Sequence, residues 1–210
     1  MSMMTPTVRH AALTAHITSS VGWFGAVVAF FAMSVAGLTS PSQELVRAAY
    51  VAMELTGWFV IVPFCLATLA TGLIQSLGTN WGLLRHNWVV AKLAIAVLAT
   101  ILLTLHMQPV SRVANVAATM SLSYGDLRQV RVQLVADAVL AMVALTIATI
   151  LSVYKPQGLT PYGRRVSGAS VAAEALPWSY VWAIAALLLV LLFAFVHLAG
   201  FGLRLGHGHM

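Results

Sequence analysis

The chain has 210 residues, of which 60% belong to the apolar set and only 8% are charged, with a mean hydropathy of +0.92. Soluble domains run nearer half apolar and a quarter charged, so a water-soluble globular fold is excluded. Eleven Lys and Arg against five Asp and Glu leave a formal charge of +6. That excess is too thinly spread for a nucleic-acid surface and is what a membrane protein carries in its loops. The single cysteine, Cys65, sits in an apolar run, so neither an intrachain disulfide nor a Cys-rich metal motif can form.

A membrane-spanning helix needs about 20 mostly apolar residues. Five stretches qualify: Ala11 to Leu38, Ala49 to Leu77, Trp88 to Val110, Val132 to Tyr154 and Trp178 to Leu203. They are too long, and too rich in Ala and Leu, for strands, and they lack the alternation of an outer-membrane barrel. The prediction is an all-α polytopic membrane bundle of five transmembrane helices, forming a single integral membrane domain over residues 1–210.

Arg9 followed by an apolar run resembles a secretory signal, but the run is longer than the apolar region of such a signal and is read as the first span. Thr39-Ser40-Pro41-Ser42 supplies a breaker and then an N-cap, with Glu44 at the start of the second helix. Pro63, near the middle of that helix, removes one backbone hydrogen bond and predicts a kink. Gly78 to Gly82 form a turn into the third helix. Ser111 to Arg131 is less apolar and holds Arg112, Arg128 and Arg131, which reads as a loop with a short helix on the membrane surface. Lys155 to Pro177, with Pro156, Pro161 and the pair Arg164-Arg165, reads as a solvent-side connector.

With five spans, one face receives Arg9, Arg85, Lys92, Lys155, Arg164 and Arg165, and the other Arg47, Arg112, Arg128, Arg131 and Arg204. The compact Lys155 to Arg165 cluster points to an N-terminus inside and a C-terminus outside. The first face is therefore called inner and the second outer.

A charge at the bilayer centre costs about 2.5 kcal/mol or more, so intramembrane ionisable residues are the functional candidates. At about 1.5 Å of rise per residue, Glu54, His106, Asp137 and His197 fall roughly 9 to 13 Å outward of their span midpoints. Two imidazoles and two carboxylates from four helices can ligate Zn, Fe or Mn directly. Alternatively His106 and His197 hold a b-type haem with the carboxylates in supporting roles, or Glu54 and Asp137 relay protons. His16 lies roughly 13 Å toward the inner face, a second candidate cofactor ligand with Gln75, His86 and Lys92 as neighbours.

Each of these groups also has a plain structural reading. A lone His joins helices by a hydrogen bond, and Glu54 and Asp137 pair with Arg47 and Arg131 at the interface. The tryptophans mostly read as interfacial belts, and Met33, Met53, Met107 and Met142 as packing. No Gly-x-Ser-x-Gly, His-Glu-x-x-His or phosphate-binding loop is present to support catalysis.

His16 followed by Val21-Gly22-Trp23-Phe24-Gly25 resembles the opening helix of bacterial membrane proteins of the copper-resistance protein D domain family and the related domain of unknown function 2269. Thr71-Gly72-Leu73, Trp81-Gly82-Leu83-Leu84, Trp88 and Lys92 resemble their second-to-third-helix region, and uncharacterised actinobacterial membrane proteins look similar. The resemblance implies a small multi-helix inner-membrane protein linked to haem or copper, with His16 and Lys92 at the matching positions. His197 and the Gly-His tail depart from that pattern.

The leading expectation is thus a haem b or a transition metal bound in the outer half of the bundle by His106 and His197, for electron transfer or metal handling. The alternative is a small transporter subunit or accessory scaffold with no cofactor. The partners expected are the lipid bilayer, not nucleic acid, and beyond it a redox protein or a second copy of the chain. Small-x-x-x-small runs such as Gly22 to Ala26 allow close helix pairing.

Overall fold

The structure is a computed structural model and describes residues 4–79, 82–120, 127–155 and 158–167. The fifth expected span, with His197, Trp178 and Trp182, lies outside the described residues. Helix α1 runs Pro6–Thr39, α2 Gln43–Thr56 and α3 Val62–Gly78, with a π-turn Gly57–Ile61 joining α2 to α3. Then follow α4 Asn87–Thr119, α5 Arg128–Tyr154 and the short α6 Pro161–Ser167.

Local chemistry sets these limits. Thr5 caps α1 by accepting from the Val8 amide, and Pro6 occupies a first-turn position whose missing N–H has no intrahelical partner to lose. Ser42 caps α2 by accepting from the Leu45 amide at 3.3 Å. At Pro63 the chain resolves its missing donor by widening rather than breaking. The Val62 amide reaches back five residues to the Gly57 carbonyl, so α2, the π-turn and α3 form one continuous span, Gln43–Gly78.

Among the described residues, four helices are long and apolar enough to cross a membrane: α1, α2 to α3, α4 and α5. Their outward surface carries Val21, Phe59, Leu66, Ile101 and Leu105, each at least half exposed. An apolar exterior of this extent needs lipid to cover it. Helix α1 packs on α2, α3 and α5, and α4 on α2, α3 and α5. The main core joins Trp23, Phe30, Tyr50, Met53, Met107 and Leu134, and a smaller cluster of Ala91, Ile95, Ile147 and Leu151 lies at the other end of α4 and α5.

Two expectations are corrected. Within Ser111 to Arg131, the stretches 111–119 and 128–131 are not loop: α4 continues through Pro109 to Thr119 and α5 begins at Arg128. Val113, Ala114 and Ala117 form a buried stripe, while exposed Arg112 and Asn115 on the other side lower the mean hydropathy of the segment and disguise the helix. Trp23 is not part of an interfacial belt. It is 5% exposed and sits in the core.

Candidate functional site

Longer helices move the midpoints. With α4 centred near residue 103 and α5 near residue 141, His106 and Asp137 lie only about 5–6 Å from the middle of their spans. The two are buried and meet: Nδ1 of His106 is 2.9 Å from Oδ2 of Asp137. The contact sets Nδ1 against the carboxylate and leaves Nε2 on the far side of the ring. The Phe30 ring lies 6.1 Å from the imidazole, inclined at 59°.

The pair stands on the wall of a cavity of about 90 Å³. Among the described residues its other walls are apolar, with Trp23, Val27 and Phe30 from α1, Ile61 from the π-turn and Ala141 and Ala144 from α5. Asp137, Ala141 and Ala144 follow one helical stripe, and the small side chains keep the space open beside the carboxylate. On α4, Met107 is 1% exposed, and its thioether occupies the place where Gly57 has no side chain. A Cβ there would stand 2.5 Å from the Met107 methyl, so a side chain at residue 57 would require the end of Met107 to move aside.

The other predicted residues are elsewhere. Glu54 is half-buried on α2, and no group of three or more His, Cys, Asp or Glu able to share a metal ion gathers among the described residues. His16 forms a separate contact between α1 and α3, its Nδ1 3.1 Å from Oγ1 of Thr71. The Thr71 hydroxyl donates its one proton to the Ala67 carbonyl at 2.6 Å, so the imidazole is the donor in that contact. Gly72 provides the room, since a Cβ there would stand 3.3 Å from the His16 ring. One turn further, Gln75 donates to the Ala12 carbonyl at 2.8 Å and ties the same two helices. His86 is not in the span. It precedes α4, and burial together with the charge of Arg85 holds its pKa below the ordinary 6.5.

Arg131, expected in a loop or at the interface, is instead buried. It is 2% exposed inside the bundle, where Nε donates to the Tyr50 hydroxyl at 2.9 Å and the guanidinium donates to the Gly37 carbonyl, 5.6 Å from the centre of the Tyr50 ring. Gly37 lets Tyr50 approach α1, for a Cβ at residue 37 would stand 2.7 Å from the Tyr50 ring. The signal was present in the spacing of Val130, Arg131, Leu134 and Asp137, which share the face that α5 turns into the bundle.

No protein-family model, no curated protein and no solved structure matches the chain. The fold and the site together define a multi-pass helical membrane protein with an ionisable His–Asp pair at mid-depth.

Proposed function

We propose that the chain is a redox or metal-handling protein of the bacterial cytoplasmic membrane, with His106 as the ligand that holds the metal centre. The observation that supports this is the 2.9 Å contact of His106 Nδ1 with Asp137. Metal-binding histidines regularly give one ring nitrogen to a carboxylate, which fixes the ring and makes the other nitrogen the better ligand. His197 is the proposed second ligand, and the link to haem or copper follows the resemblance of the His16 and Trp81–Lys92 segments to the copper-resistance protein D domain family. His16, with Nδ1 already donating to Thr71, is the corresponding inner candidate.

The two cofactors fit unequally. A cavity of about 90 Å³ takes an ion with its water. A porphyrin needs a chamber of several hundred Å³, so the described walls do not fit haem b, and the transition metal is the form of the reading they favour. The relevant chemistry of this chain is then to orient His106 through Asp137 and to keep bulk water out with Trp23, Phe30 and Ile61.

The charge distribution supports an orientation with the N-terminus inside. Arg131 is withdrawn into the bundle, which leaves Arg47, Arg112, Arg128 and Arg204 for the outer end against Arg9, Arg85, Lys92, Lys155, Arg164 and Arg165 for the inner.

Purified protein decides the matter by metal analysis and an absorption spectrum. Bound metal that is lost in both His106→Ala and His197→Ala supports the reading, and a Soret band lost in the same variants would restore haem. A folded protein free of both overturns it. One observation favours a second reading in that event: the His106–Asp137 contact joins α4 to α5 and would by itself serve a cofactor-free scaffold or small transporter subunit as a packing lock.

A further inference from the structure

The inner end of the bundle is finished by a strap. Residues 158–167 lie against the turn that leads into α4: the Asn87 amide donates to the Gly158 carbonyl at 3.2 Å, and the Thr160 amide to the Arg85 carbonyl at 3.0 Å. The Thr160 hydroxyl accepts from the Gly163 amide at 2.9 Å. Gly163 rests directly on the Arg85 carbonyl, where a Cβ would stand 2.2 Å from the oxygen. This fastening gathers Arg85, His86, Lys155, Arg164 and Arg165 around one end of the bundle. The sequence has no Asp or Glu between residues 55 and 125 or between 138 and 173, so the only charges that strap and turn themselves contribute are basic.

A second feature gives the depth. Tyr162 and Val166, one turn apart on α6, are 56% and 54% exposed, beside exposed Arg165. The strap begins where α5 ends, at Tyr154, itself 78% exposed. Apolar and cationic side chains mixed at the end of a span are what the headgroup layer accommodates. We infer that the strap and turn form a clasp for the phosphodiester headgroup of an acidic phospholipid, with Lys155 and Arg165 as its exposed cations and Tyr162 and Val166 dipping into the acyl boundary. The clasp is independent of the His106 site.

The test is reconstitution of the full chain in phosphatidylcholine vesicles with and without phosphatidylglycerol, reading the temperature at which buried Cys65 becomes reactive to a thiol probe. Phosphatidylglycerol should raise that temperature by about 2–4 °C. Lys155→Gln with Arg165→Gln should remove at least half the shift, and Lys155→Arg with Arg165→Lys should keep it. Arg47→Gln, Arg112→Gln and Arg128→Gln, all exposed at the opposite end, should leave it intact. An undiminished shift in the first variant, or its loss in the last, overturns the clasp. So does an equal shift given by glycerophosphate in plain phosphatidylcholine, which would mark a site for a free anion.

Discussion

Asp137 on α5 reaches His106 on α4 across 2.9 Å, close to the midpoints of both spans and beside a cavity whose remaining described walls are apolar. Breaking such a pair leaves one ionisable group buried alone, which costs about 3–5 kcal/mol. His106→Ala and Asp137→Ala should each destabilise the bundle by roughly that amount, and the double variant by much less than their sum. Cys65, the sole cysteine and 1% exposed, gives the measurement, since its labelling in detergent reports unfolding. Additive losses would mean that the two groups act separately.

The approach of the π-turn to α4 depends on residue 57. Gly57→Ala places a methyl where the Met107 thioether now lies and should cost about 1–3 kcal/mol by overpacking. Met107→Val, which shortens the opposing side chain, should recover part of that loss when the two are combined. If the alanine variant unfolds like wild type, the fit between the π-turn and the helix carrying His106 is not as tight as described.

Arg131 and Tyr50 form a link among α5, α2 and the end of α1. Tyr50→Phe keeps the ring beneath the guanidinium and removes one acceptor, for an expected loss of about 1–3 kcal/mol. Arg131→Lys should not restore full stability, because an ammonium cannot donate in the two fixed directions that the Tyr50 hydroxyl and Gly37 carbonyl require. Thermal unfolding of the two variants in one detergent compares them directly.

At the inner contact, Thr71→Val removes the hydroxyl that accepts from His16 while keeping the branched shape. The expected destabilisation is about 1–3 kcal/mol, from a half-buried donor left without this partner. Gly72→Ala should act through the same ring by pressing on it, with the smaller effect, since the added carbon meets it at 3.3 Å. Cys65 labelling resolves both, and a larger loss from Gly72→Ala would show that the ring has no room to shift.

His86 provides a pH dependence. Its folded pKa lies below the ordinary 6.5, owing to burial and then to Arg85, so the unfolded chain binds the proton more readily. The stability tied to this residue is complete above 6.5 and declines as the pH falls through that value toward the lowered one. His86→Gln should flatten that part of the profile, and only slightly because the ring is largely solvated. An unchanged slope would assign the acid sensitivity to other groups.

Much of this organisation is legible in the linear order of residues. The first four spans were found, as were the Ser42 cap and the disturbance at Pro63, because apolar run length and local capping chemistry act over a few residues. The extent of α4 was not. A helix whose polar side faces the headgroup layer loses its apolar average while keeping its buried stripe, as Arg112 and Asn115 did beside Val113 and Ala117. The site was legible in part: His106 and Asp137 stood out as ionisable residues at membrane depth, but nothing in their order said that one would touch the other.

The sequence by itself determined that this chain lives in a bilayer, since no arrangement of residues so apolar could be covered by water, and it determined where the costly ionisable groups fall. Only the tertiary structure decided which of them meet. Helix neighbours are chosen by the close approaches that Gly37, Gly57 and Gly72 permit, and by the side chains that fill those gaps. That packing paired His106 with Asp137 near mid-membrane, left Glu54 outside their contact, and drew Arg131 from an expected loop into the core.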